Sequence, residues 1–80
     1  MRVTVHIERR DVIADPEGAT IARSLGDLGY GEVTAVRTGR TLHLDVDGAD
    51  AEAVRSRVTD MCEKLLANPV IEDYRVEVEE

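Results

Sequence analysis

The side chains able to do chemistry are few and scattered. Cys62 is the only cysteine. It lies between Met61 and Leu65 on what reads as an apolar helical stripe, the setting of a small buried hydrophobe. A catalytic thiolate would want exposure and an electropositive neighbour, and no histidine is near it in sequence. His6 and His43 fall on the polar side of two alternating segments, with Glu8 and Asp45 on the same side, and they could approach each other only if those segments pair. A metal centre needs three or four convergent ligands held by further partners, so ordinary surface or interface histidines are expected and no metal ligand is assigned. Carboxylates are plentiful, yet none is placed for acid–base work. Glu72 and Asp73 are adjacent and point apart on a strand, and Glu77, Glu79 and Glu80 read as a charged edge that discourages unwanted strand pairing. Arg37 and Arg40 flank Thr38-Gly39 and make a basic point in an acidic chain. Two arginines without a glycine-rich nest or a helix N-terminus form an incomplete phosphate site. Docking to an acidic partner and a solvated turn both stay open for them. No catalytic, cofactor-binding or metal residue is assigned.

The totals narrow the classes further. Eighty residues make one domain, 1–80. A domain this short buries only roughly 60–65% of its unfolded surface. Disulfides, metals or oligomerisation are the usual remedies for so small a core. One cysteine excludes an internal disulfide and no metal cluster is legible, so a homodimer or tetramer is expected. The net charge is −7, with 17 acidic against 10 basic residues. Nucleic-acid phosphates repel such a chain. Two tyrosines are the only aromatic residues, which removes base-stacking platforms. No apolar run is long enough to span a bilayer. The start at Met1-Arg2-Val3-Thr4-Val5 shows no signal-peptide pattern, so a cytoplasmic protein is expected.

The elements that must position these residues follow from periodicity. Val3, Val5 and Ile7 alternate with polar residues as in a half-buried strand. Asp15-Pro16-Glu17 starts a helix: Asp15 can accept from free N–H groups, and Pro16 suits the first helical position. Ile21, Ala22, Leu25 and Leu28 share one helical face, and Gly29 suits a left-handed terminator. Glu32–Arg37 reads as a second strand and Thr41–Asp47 as a third, joined by a tight hairpin at Thr38-Gly39. A second helix runs from about Asp50 to Ala67 with Val54, Val58, Met61, Cys62 and Leu65 as its stripe. Asn68 suits a left-handed stop and Pro69 blocks continuation. Tyr74, Val76 and Val78 alternate in a final strand. The expectation is an α+β domain of β-α-β-β-α-β order, with two helices on one face of an antiparallel or mixed four-stranded sheet, a ferredoxin-like pattern.

Four segments carry a resemblance: Asp15-Pro16-Glu17-Gly18, Leu28-Gly29-Tyr30, Val36-Arg37-Thr38-Gly39-Arg40, and the run from Leu65 through Asn68-Pro69-Val70-Ile71-Glu72-Asp73 to Tyr74. In that order and spacing the chain resembles the PurS family, small subunits of phosphoribosylformylglycinamidine synthase, over nearly its whole length. The last segment is the most specific. Ala14 and Arg9-Arg10-Asp11 depart from the family pattern in the loop before the first helix. The resemblance implies a non-catalytic assembly subunit in de novo purine biosynthesis, bridging a PurL synthetase and a PurQ glutaminase. It implies ATP and magnesium on the synthetase, none on this chain, and support for ammonia transfer between subunits. It also raises Arg37, Thr38, Gly39 and Arg40, with Asn68, Pro69, Val70, Ile71 and Tyr74, as candidate subunit contacts. Capping and core packing explain the second group equally well.

The same element order serves other functions, so order decides nothing by itself. A copper chaperone needs a Cys-x-x-Cys loop, and an RNA-recognition domain needs aromatic residues on its central strands. An acylphosphatase-like enzyme needs a glycine-rich phosphate loop around an arginine. None of these is present in the sequence. The alternative that stands is an ACT-type module binding a small regulatory ligand.

Overall fold

The computed structural model describes residues 1–79; Glu80, read with Glu77 and Glu79 as a charged edge, lies outside the described residues. The elements are β1 (Arg2–Arg9), α1 (Pro16–Asp27), β2 (Gly39–Asp45), α2 (Ala51–Met61) and β3 (Glu72–Glu79). The sheet has three strands in the order β2-β1-β3, and both pairings are antiparallel. The α+β class stands, but the fourth strand does not. Glu32–Arg37 forms no strand, and Thr38-Gly39 is no hairpin tip. The reason is geometric. The returning segment is held at the root of α1 and not along the outer edge of β2: Val36 crosses Gly18, Arg37 donates to the carbonyls of Arg9, Arg10 and Ile13, and the Thr38 N–H donates to Asp15. The two valines of the segment, Val33 and Val36, are also three apart, the spacing of a turn and not of a pleat.

Val3, Val5 and Ile7 of β1 are fully buried against Val54, Val58 and Cys62. These three strand residues alternate and these three helix residues fall four apart, so each element buries one face. After Met61 the helix widens into a single π turn, Cys62–Leu66, closed by the Ala67 N–H donating to the Cys62 carbonyl. The wider turn rotates the stripe by about one residue. Leu65, expected inside, is 82% exposed, while Leu66 packs on the core in its place. Asn68 is not left-handed, since no described residue other than glycine has positive φ. Its side chain instead accepts from the Val70 N–H in a local turn.

The two helices do not share the sheet face. α2 packs against β3, whereas no α1 residue belongs to the core, where Gly18 is its one buried position. The first helix leaves the end of the sheet as an arm, and the molecule measures 50 × 25 × 14 Å. Local chemistry directs it there. Asp15 caps α1 by accepting from the Gly18 N–H (3.0 Å), and the same carboxylate accepts from the Thr38 N–H (2.6 Å) and hydroxyl (2.8 Å). Gly18 crosses the returning chain so closely that a Cβ would run into the Val36 carbonyl oxygen. At the far end Gly29 is left-handed (φ 101°), and the Tyr30 N–H reaches back to Leu25 while Gly29 reaches Gly26, a Schellman closure. From there the chain doubles back along the arm to Thr38.

Two outcomes test this clasp. Alanine is the better helix former by about 1 kcal/mol, but overpacking costs typically 1–3 kcal/mol, so Gly18→Ala should destabilise the chain. Urea unfolding reads the sign. The Thr38 N–H, the Gly18 N–H and the Thr38 hydroxyl hold the Asp15 carboxyl down from 3.8 to about 2. A lowered carboxyl stabilises above its unfolded value and loses that contribution as pH falls through the folded one. Asp15→Asn, which keeps a capping acceptor, should therefore flatten the fall in thermal midpoint between about 3.8 and about 2.

Candidate subunit interface

The arm's root is where the motif segments meet. Gly39 lies opposite Glu8 on one edge of β1, and Glu72 lies opposite Arg9 on the other. The Thr38–Arg40 and Asn68–Tyr74 segments therefore flank the same end of the sheet. Arg40 ties them together: its guanidinium donates to both Glu72 carboxylate oxygens (2.9 and 3.3 Å) and to the Leu66 carbonyl (2.8 Å). Glu72 is buried, and its carboxylate also accepts from the Asn68 N–H at 2.7 Å. That backbone bond first, and Arg40 second, hold its pKa below the ordinary glutamate value.

Arg37 is equally occupied. It donates to the carbonyls of Arg10 (2.6 Å), Arg9 (3.0 Å) and Ile13 (3.4 Å), gathering the loop between β1 and α1. Neither arginine is the free tip charge that the sequence suggests. Gly39 between them passes β1 so closely that a Cβ would meet the Ile7 carbonyl. Thr38 spends its hydrogen bonds on Asp15. The Ile71 carbonyl accepts from the Arg10 N–H, and the Pro69 carbonyl accepts from the Arg10 guanidinium (2.6 Å). The half-buried Tyr74 donates its hydroxyl to Glu63 at 2.6 Å, and that carboxylate raises the phenol to about 12.

What remains free at this end is apolar. Val70 is 78% exposed and Val12 90%, on two loops that the Arg10 bonds hold together. Val12 and Arg10 carry no legible signal in the sequence, because a lone valine in a loop and an arginine in a variable stretch look like any other. The histidines part company. His43 sits opposite Thr4, its ring 3.3 Å from that hydroxyl, while His6 turns to Glu77 at 3.4 Å on the other side of β1. Cys62 is buried, and burial pushes its thiol up, away from nucleophilic use. The described residues hold no group of three ligands for a metal ion. Among the described residues no helix is long and apolar enough to cross a membrane.

The profile of the family PurS, phosphoribosylformylglycinamidine (FGAM) synthase, matches residues 2–80. The chain belongs to the PurS family. It is 42% identical over 78 residues to the phosphoribosylformylglycinamidine synthase subunit PurS of Methanocaldococcus jannaschii, covering 98% of this chain and 94% of the relative. Among solved structures it resembles Bacillus subtilis PurS at 41% identity and a TM-score of 0.85, covering 99% and 98% of the two chains. It also resembles a chain of the PurLQS structure from Thermotoga maritima, at 34% identity and a TM-score of 0.86, covering 95% and 93%. As a member of this family the chain is a subunit of FGAM synthase, a glutamine-dependent ligase of purine biosynthesis. Full-length matches of this kind set aside the ACT-type reading.

The occupied arginines reverse the expectation for their removal. Arg40→Ala should cost about 1–2 kcal/mol, because it strands the buried Glu72 carboxylate, discounted for the half-exposed arginine. Arg40→Ala/Glu72→Gln should recover part of the loss, since the glutamine leaves no unpaired charge. A double-mutant cycle by urea unfolding measures the coupling; additive losses would show that the pair is decorative.

Proposed function

We propose that the chain is the non-catalytic assembly subunit of its complex, bridging the PurL synthetase and the PurQ glutaminase. ATP and magnesium act on the synthetase. Ammonia released from glutamine on one partner is used on the other, and it protonates and escapes if the path opens to water. A thin, elongated subunit suits the task of holding two larger proteins in register. The observation that carries the reading is the full-length match to a chain of the PurLQS structure. The occupied side chains support it. The one thiol is buried with a raised pKa, and the arginines at the motif end are spent on carbonyls and on Glu72. The contact surface at that end is then the Val70 and Val12 loops, with Arg37 and Arg40 holding their shape.

Self-association belongs to the same reading, as a dimer or tetramer. One helix covers a sheet that two were expected to cover, and Ile21, Leu28 and Tyr30 of the arm are exposed. A core this small gains from burying them.

The test separates assembly from chemistry. With synthetase and glutaminase subunits at limiting concentration, adding the chain should raise glutamine-dependent product formation severalfold. Synthesis from ammonium chloride by the synthetase should change far less. Val70→Asp should weaken the glutamine-dependent rate and recover with excess chain. Turnover of ATP or glutamine by the isolated chain would sink the proposal.

A further inference from the structure

The π turn that ends α2 has an alternative within the same residues. In an α-helix the Ala67 N–H reaches the Glu63 carbonyl and the Asn68 N–H the Lys64 carbonyl, each four residues back. Here the Ala67 N–H reaches five back, to Cys62 (3.1 Å), and the Asn68 N–H leaves the helix for Glu72 (2.7 Å). The two registers bury different leucines. The wide turn packs Leu66 on the core and leaves Leu65 82% exposed. The α register returns Leu65 to the stripe of Val54, Val58 and Cys62 and turns Leu66 away from it. One leucine replaces another, so apolar burial chooses weakly between the two. The polar ties choose. Arg40 donates to the Leu66 carbonyl (2.8 Å), Glu72 holds the Asn68 N–H, and the Tyr74 hydroxyl fixes Glu63 at the head of the turn (2.6 Å). All three side chains come from β2 and β3, none from the helix. Arg40 and Glu72 also bond to each other, so one charge-assisted pair holds both an acceptor and a donor of the helix end.

We propose that the last turn of α2 is a two-register element, held in its wide register by the Arg40–Glu72 pair, with Tyr74 as a lesser tie. Leu65 is then shown to solvent only while that pair is intact. The end of the sheet where the motif segments meet thereby sets which leucine the helix presents. The change is a step and not a gradual shift, because a close-packed core has room for one of the two leucines at that position. Isolated wide turns inside α-helices commonly mark such places, since the extra residue has no use in the helix itself. Loosening the pair moves the population toward the α register by as much as the pair favours the wide one.

The experiment uses the full chain with leucine and valine methyl groups labelled for nuclear magnetic resonance, which leaves both leucines in place. In the wild type, Overhauser contacts should join the Leu66 methyls to those of Val54 or Val58, and the Leu65 methyls should show none to them. In Arg40→Ala/Glu72→Ala the contacts should pass to Leu65, with the ratio of α to wide register rising at least ~10-fold. Tyr74→Phe, which removes one tie, should move the ratio the same way by less. Circular dichroism checks that each variant stays folded. A folded double variant that keeps the wild-type contacts would overturn the lock. Loss of contacts at both leucines would overturn the second register, because the turn would then simply fray. Wild-type contacts from Leu65 would overturn the assignment at once. If the double variant does not fold, Tyr74→Phe decides: a pattern identical to the wild type would sink the proposal.

Discussion

A single carboxylate organises the architecture. Asp15 accepts from the Gly18 N–H at the head of α1 and from both donors of Thr38 at the threshold of β2. A buried carboxylate needs its lone pairs satisfied, and here the donors come from two segments, at Gly18 and at Thr38, far apart in the chain. The bond geometry joins the beginning of the arm to its end, so the 22 residues between Asp15 and Thr38 form a closed excursion from the sheet. Asp-Pro-x-Gly is thus more than a helix start. Asp15 closes the loop, Pro16 sets the first turn, and Gly18 lets the returning backbone pass.

A second buried carboxylate performs the matching task on the other side of β1. Glu72 takes the Asn68 N–H and the Arg40 guanidinium, so the start of β2 and the start of β3 are locked to one another across the central strand. Arg37 adds a third tie by collecting three loop carbonyls. The end of the sheet from which the arm departs is therefore dense in charge-assisted hydrogen bonds, which are the stronger kind. The opposite end has fewer such ties, chiefly the Met1 ammonium on the Val46 carbonyl at 2.7 Å. A docking surface on so fixed a frame would lose less entropy on binding.

The core itself is modest. Among the described residues seven make it: four valines, one cysteine, one isoleucine and one alanine. The exposed apolar residues lie instead on the arm, on the outer side of the π turn and on the loops at the arm's root. For a monomer this distribution is uneconomical; for a subunit it marks the surfaces that other chains cover.

Much of this was legible in the residues. The alternation of Val3, Val5 and Ile7, the Asp15-Pro16 start, the Gly29 closure and the burial of Cys62 are local matters of period, capping and composition, and the structure has each of them. The motif segments were enough to point to the family. What the residues did not reveal is everything that depends on which edges and faces are already occupied. A strand at Glu32–Arg37 does not form because Val36, Arg37 and Thr38 are held against Gly18, the loop before α1 and Asp15, and no local pattern reveals those contacts. The stripe of α1 looks the same whether its own sheet or another chain covers it. Arg37 and Arg40 look like free charges until the fold brings carbonyls and Glu72 within reach. The sequence by itself determined the elements, their caps and the family; only the tertiary structure decided strand count, the direction of the arm and the internal duty of the arginines, because those follow from contacts between residues far apart in the chain.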